Sequence, residues 1–186
     1  MSDVQRLGLT VWFTGLPAAG KSTLARAVED RLRRDGTGAA VLDGDEMRAT
    51  ICRDLGFSLS DRAENLRRIA YVARLMVESG LVVVVATISP MAEHRGIARE
   101  IHEGVRFVEV HLDTPLALCV ARDPKRLYAR ALAGELTDFT GIDGPYEPPT
   151  QPEAVIDGTT ALAEQVATVL RLVSETKLSS SSDRRR

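Results

Sequence analysis

VWFTGLPAAGKSTLARAV, residues 11–28, decides the fold. An apolar run rich in strand formers breaks at Gly15, and a helical pattern takes over from Ser22 to about residue 34. Between them GLPAAGKS, residues 15–22, satisfies GxxxxGK(S/T), and it sits directly after a strand and directly before a helix. Gly15 and Gly20 let the backbone fold so that successive N–H groups converge into an anion nest, to which the following helix adds its positive end. Lys21 then reaches the β- and γ-phosphates of a nucleotide, and the Ser22 hydroxyl ligates Mg²⁺.

Outward from that loop the alternation repeats. Strand patterns at 39–43, 81–88, 105–112 and 154–157 alternate with helical patterns at 61–79, 92–102, about 115–135 and about 160–176. Such alternation predicts a parallel sheet covered by helices. Leu81–Ala86 is apolar at every position, as expected of a central strand covered on both faces. The stretch 137–152, TDFTGIDGPYEPPTQP, is dense in Gly, Pro and Asp and reads as filler or as a lid. Residues 1–177 are expected to form one domain with a lid region at about 122–152, and 178–186 a disordered tail.

Composition narrows the function. A formal net charge of −2 argues against a broad nucleic-acid footprint, so an anionic ligand must meet a local basic cluster. No run approaches the ~18 apolar residues of a membrane span. The two cysteines, Cys52 and Cys119, lie far apart in no metal-like pattern, and a cytoplasmic setting fits them. His94, His102 and His111 lack metal spacing and read as surface or structural residues, and Trp12 and Phe13 read as core.

A P-loop alone does not separate GTPases, ATPase motors and small-molecule kinases. The most buried-looking strand ends ATISP, residues 86–90, without the acid that motors and GTPases place at a strand end. Acids lie instead in LDGD, residues 42–45, at the carboxyl edge expected to bind ligands. Asp43 or Asp45 could take a proton from an acceptor hydroxyl or orient hydrated Mg²⁺. In the helix from residue 61, Asp61 and Glu64 form an acidic start, and Leu66, Ile69, Ala73 and Met76 form the buried stripe. Extended back one turn, that stripe reaches Arg62, an inward arginine that calls for a cleft or an anion, with Asn65 beside it. Arg67 and Arg68 rotate toward solvent.

LDGD, RDLGF at 53–57, DRAENLRR at 61–68, ISP at 88–90, RDPKRLY at 122–128 and DFTGID at 138–143 together resemble the adenylyl-sulfate kinase family over most of residues 8–157. The resemblance implies a P-loop nucleoside-triphosphate hydrolase-type fold, three layers α/β/α with a mainly parallel central sheet. It implies ATP-dependent, Mg²⁺-requiring transfer to the 3′-hydroxyl of adenosine 5′-phosphosulfate, small nucleotide substrates, no nucleic acid or membrane partner, and a homodimer. ATP contacts would come from Gly15, Ala18, Ala19, Gly20, Lys21, Ser22, Thr23 and Arg122. Acceptor contacts would come from Asp45, Arg48, Phe57, Arg62, Asn65, Ile88, Ser89, Lys125 and Phe139, with Phe57 and Phe139 sandwiching the adenine. Lys21, Asp43, Asp45 and Ser89 would be catalytic, with Ser22, and Asp45 through water, serving the metal.

The family pattern is altered in places. Glu46 stands where a neutral amide is usual and could repel the acceptor; Ala49–Cys52, Met91 and Leu132 also depart. A kinase for another hydroxyl-bearing nucleotide or small anionic metabolite is the second reading, and an idle nucleotide-binding module the third.

Overall fold

The computed structural model describes residues 8–182. Among these residues five strands, β1 (Leu9–Thr14), β2 (Ala39–Asp43), β3 (Val82–Ala86), β4 (Phe107–Asp113) and β5 (Ala154–Asp157), form one sheet in the order β2-β3-β1-β4-β5. Every pairing is parallel. Among the described residues seven helices accompany them: α1 (Lys21–Arg34), α2 (Gly44–Ala49), α3 (Leu59–Glu78), α4 (Ala92–Ile101), α5 (Leu116–Arg122), α6 (Leu127–Leu132) and α7 (Leu162–Ser182).

Alternate residues of the central strands feed two cores. Val11, Phe13 and Val84 pack with Leu24 and Val28 of α1 and Val169 and Val173 of α7. On the other face, Trp12, Val83 and Val85 pack with Leu66, Ile69 and Ala73 of α3 and Ala98 of α4. Both faces are therefore dry, which is why 82–86 carries no polar alternation. Each large apolar side chain buried this way contributes ~1.5–3 kcal/mol.

Local signals place the elements with small shifts. α3 begins earlier than residue 61 because the Ser58 hydroxyl caps it, accepting from the Asp61 amide at 3.1 Å. α7 runs past 176 to Ser182, so residues 178–182 are helical rather than part of a disordered tail; residues 183–186 lie outside the described residues. The sequence reading lacked α2 altogether, a six-residue helix that Asp43 caps from the end of β2. Among the described residues no helix is long and apolar enough to cross a membrane.

Candidate active site

The P-loop is held open by tying its carbonyls outward. Pro17 O accepts from the Tyr128 hydroxyl at 3.0 Å, and Ala19 O accepts from Thr114 Oγ1 at 2.9 Å and Arg122 Nη1 at 3.2 Å. Because the C=O and N–H of a trans peptide point in opposite directions, the amides of Ala18 and Gly20 turn the other way. The backbone sits in the left-handed region at Ala18 (φ 58°) and at Gly20 (φ 107°). Gly15 permits the entry turn: a Cβ there would lie 2.6 Å from Leu112 O. Ser22 and Thr23 open α1 on its exposed side.

Lys21 is buried, and its ammonium donates to Gly15 O at 2.9 Å and Leu16 O at 2.7 Å. Burial pulls it down to about 8, against the opposing influence of Cys119, Asp45 and Asp43, while Lys125 adds to the fall. The free protein should therefore lose affinity for an unhydrolysable ATP analogue as pH rises through about 8, because the neutral amine no longer attracts phosphate. The effect on stability runs the opposite way. Between about 8 and the ordinary value of 10.5 the unfolded chain holds more protons, so the cost of burying this charge is relieved as pH rises. Titrations at pH 7 and 9 check the first expectation; Lys21→Arg, charged throughout, should abolish the difference.

Two carboxylates stand beside the loop in different surroundings. Asp43 is buried at the end of β2; it accepts from Ser22 Oγ at 2.5 Å through one oxygen and from the Asp45 amide at 2.9 Å through the other. Asp45 is exposed and forms an ion pair with Lys125. Ser22 thus reaches Asp43 rather than Asp45. A hydroxyl and a buried carboxylate are hard oxygen donors of the kind Mg²⁺ takes, and Mg²⁺ completes its shell with water and phosphate oxygens. The residues fit the ion on that ground. Among the described residues no group of three or more His, Cys, Asp and Glu is placed to hold a metal by itself.

The second half of the site gathers around Phe57, which is 68% exposed. Arg48 lies over its ring, guanidinium carbon 4.5 Å from the centroid, and Arg62 lies at 5.9 Å. Arg48 donates to Gly56 O at 2.8 Å; Arg62 donates to Phe57 O at 2.8 Å, Asp138 O at 2.9 Å and Thr140 Oγ1 at 3.4 Å. Among the described residues neither arginine forms an ion pair with a carboxylate; their hydrogen bonds go to neutral acceptors, and Asp45 and Asp61 act on Arg48 only from a distance. Burial first, and Arg62 next, push the Arg48 guanidinium below its usual value. Asn65 is buried with Oδ1 lacking a hydrogen-bond partner. Phe139 is half-buried, edge-on to Tyr128, in a turn whose Asp138 and Phe139 amides both donate to the Asp143 carboxylate at 3.0 and 2.8 Å.

Ser89 follows β3 at the carboxyl edge of the sheet, beside β1. It is 1% exposed with φ 45°, and its hydroxyl accepts from Trp12 Nε1 at 2.9 Å and meets Thr87 Oγ1 at 3.1 Å. The neighbouring Ile88 O accepts from Thr14 Oγ1 at 2.7 Å. Arg95 of α4 holds Ser89 O at 2.8 Å and is itself buried against Glu109. Trp12 and Arg95 are contributors that sequence reading missed. The signal for Trp12 was available, since a buried indole N–H needs a partner.

Three expectations change. Glu64 does not start the helix: Arg67 and Arg68 hold its carboxyl down at about 2. Arg68 is not simply solvated, because it also bridges Asp54 at 2.7 Å and Ile51 O at 3.1 Å and so straps the 51–54 turn to α3. The histidines are structural but not on the surface: all three are buried, and His102 joins Thr10 Oγ1 and Ala98 O. As for the family departures, the Glu46 carboxylate is engaged by Arg26 of α1, while Cys52 is a buried free thiol.

A parallel sheet whose first strand feeds an anion nest, with a serine opening the next helix and a buried aspartate at a neighbouring strand end, defines the P-loop NTPase fold. The chain belongs to the adenylylsulphate kinase family, whose family model matches residues 7–157. It is 54% identical over 167 residues to the adenylyl-sulfate kinase of Citrobacter koseri, covering 89% of this chain and 83% of that protein. It is 51% identical over 168 residues to the bifunctional enzyme CysN/CysC of Mycobacterium tuberculosis, again covering 89% of this chain but 27% of that longer protein. Among solved structures, the M. tuberculosis APS kinase CysC in complex with AMPPNP and APS superimposes with a TM-score of 0.88 at 51% identity, covering 90% of this chain and 98% of that one. Membership makes the chain a kinase-type phosphotransferase with a hydroxyl acceptor.

Proposed function

We propose that this site moves the γ-phosphoryl group of ATP to the 3′-hydroxyl of adenosine 5′-phosphosulfate, giving 3′-phosphoadenylyl sulfate, a step of sulfate assimilation in the cytoplasm. The observation that carries this reading is the pair of arginines over Phe57: two guanidiniums without a carboxylate are matched to an anion carried by an aromatic base. The names of the relatives support the same acceptor.

In this reading the amides of residues 18–20, together with Lys21, Ser22 and Thr23, hold the donor phosphates, and Arg122 braces the loop from behind. Mg²⁺, held by Ser22 and oriented through Asp43, would neutralise charge on the transferring group. Arg48, Arg62 and Asn65 bind the phosphosulfate, and Phe57 and Phe139 stack on its purine. Asp45, with Lys125 across from it, orients the 3′-hydroxyl and receives its proton. Ser89 and Ile88 form the wall beneath; a hydroxyl already committed to Trp12 and Thr87 in a buried position supports a positioning role over that of a covalent nucleophile. A homodimer belongs to the same reading. The relative from Thiobacillus denitrificans, 34% identical, is a hexameric APS kinase.

Purified protein with ATP, Mg²⁺ and adenosine 5′-phosphosulfate should yield the 3′-phosphorylated nucleotide, read by mass, faster than it hydrolyses ATP. In the same assay Arg62→Ala should raise the acceptor KM about 10–100-fold, the loss of a charged hydrogen bond, with the ATP KM within about twofold. Turnover only with another acceptor would replace the substrate assignment, and equal losses for both substrates would remove Arg62 from it.

A further inference from the structure

Tyr128 is 1% exposed and touches both halves of the site. Its hydroxyl donates to Pro17 O at 3.0 Å, and its ring meets Phe139 edge-on, centroids 5.1 Å apart with the planes at 87°. The turn after Phe139 closes on the same group: a Cβ on Gly141 would lie 3.4 Å from the Tyr128 hydroxyl and 3.4 Å from Leu16 Cδ2. One buried side chain therefore spans the gap between the donor loop and the segment carrying the acceptor's aromatic wall.

The consequence follows from peptide geometry. Fixing Pro17 O fixes the direction of the Ala18 N–H in the same planar unit, at a residue whose φ of 58° is unfavourable without such a tie. The other end of Tyr128 is a ring edge against Phe139, and Phe139 lies between two residues that Arg62 grips, Asp138 through its carbonyl and Thr140 through its hydroxyl. A phosphate that orders the loop thus steadies the ring behind it, and a purine that orders Phe139 steadies the loop.

We infer that Tyr128 is a positioning residue that makes donor and acceptor binding cooperative, its hydroxyl setting the P-loop peptide and its ring setting the Phe139 face. This rests on the acceptor reading given above. Coupling between two sites is reciprocal, so it can be read from either ligand.

The test is calorimetric titration of an unhydrolysable ATP analogue, alone and with saturating adenosine 5′-phosphosulfate, in the wild type, Tyr128→Phe and Phe139→Leu. The wild type should bind the analogue at least about fivefold more tightly when the acceptor is present, the lower end of ordinary coupling. Tyr128→Phe keeps the ring and loses the hydroxyl, and its ratio should fall to within about twofold of unity. Phe139→Leu keeps the hydroxyl tie; it should leave the affinity for the analogue alone within about twofold of wild type and still lose the coupling, which a loss of general stability would not produce. Should Tyr128→Phe fail to fold, the Phe139→Leu ratio decides, taken at an acceptor concentration shown by direct titration to saturate that variant. Wild-type coupling retained in the variants, or absent from the wild type, overturns the inference alone. A wild type that neither binds nor phosphorylates adenosine 5′-phosphosulfate overturns the acceptor reading and the inference with it.

Discussion

Lys21→Met is expected to lower kcat by about 10²–10³-fold, the usual loss when one fixed charge or donor at the developing transition-state charge is removed. Without donor, the Lys21 ammonium is kept in the loop by the carbonyls of Gly15 and Leu16. Arriving phosphates offer charged oxygens in place of those neutral ones, so the side chain is already close to where it acts. Methionine keeps an unbranched stem in a buried slot and removes the charge together with the N–H donors that Gly15 O and Leu16 O accept from, a loss set against the relief of burying a charge. Because a buried ammonium carries a desolvation penalty, the variant should melt no lower than the wild type. Steady-state kinetics with a thermal melt separate the two effects. A lower melting temperature with unchanged kcat would show that the lysine serves the fold and not the transfer.

Asp43→Asn is expected to cost about 10–100-fold in activity and to raise the half-saturating Mg²⁺ concentration by a comparable factor, as is usual for a group that orients a metal's own ligand. The amide is nearly isosteric and can still cap α2 through its oxygen, so the Asp45 amide retains its partner. What changes is the charge facing Ser22 Oγ. Asp45→Asn gives the contrast. Its side chain is exposed and faces Lys125, so it should lower kcat with the Mg²⁺ requirement unchanged. If the two variants exchange these signatures, the division between the aspartates is reversed.

Much of the fold was legible because its signals are local. Residues 82–86 are apolar at every position since both faces are covered, and the glycines at 15 and 20 mark a turn that side chains resist. The helix stripe of α3 pointed to Arg62, which does lie beside Phe57. Glu64 misled because α3 starts at Leu59, which leaves it past the first turn and paired with Arg67 and Arg68; Arg68 misled for another reason. A helix pattern shows which way a residue faces but not which distant turn comes to meet it, and here Asp54 meets Arg68. The sequence carries no signal for Tyr128 on the same account, since its partners Pro17 and Phe139 are remote along the chain.

By itself the sequence determined the parallel sheet, the anion nest and the residue types around it, because strand period, glycine placement and the order of the phosphate-loop groups are properties of neighbouring residues. Only the tertiary structure decided which aspartate meets Ser22, that Glu46 is engaged by Arg26, and that Arg48 and Arg62 share a ring without an acid. Those outcomes depend on how β2, α1, α3 and the 138–144 turn pack together, and partner identity across such packing is set by distance in space, which no local pattern encodes.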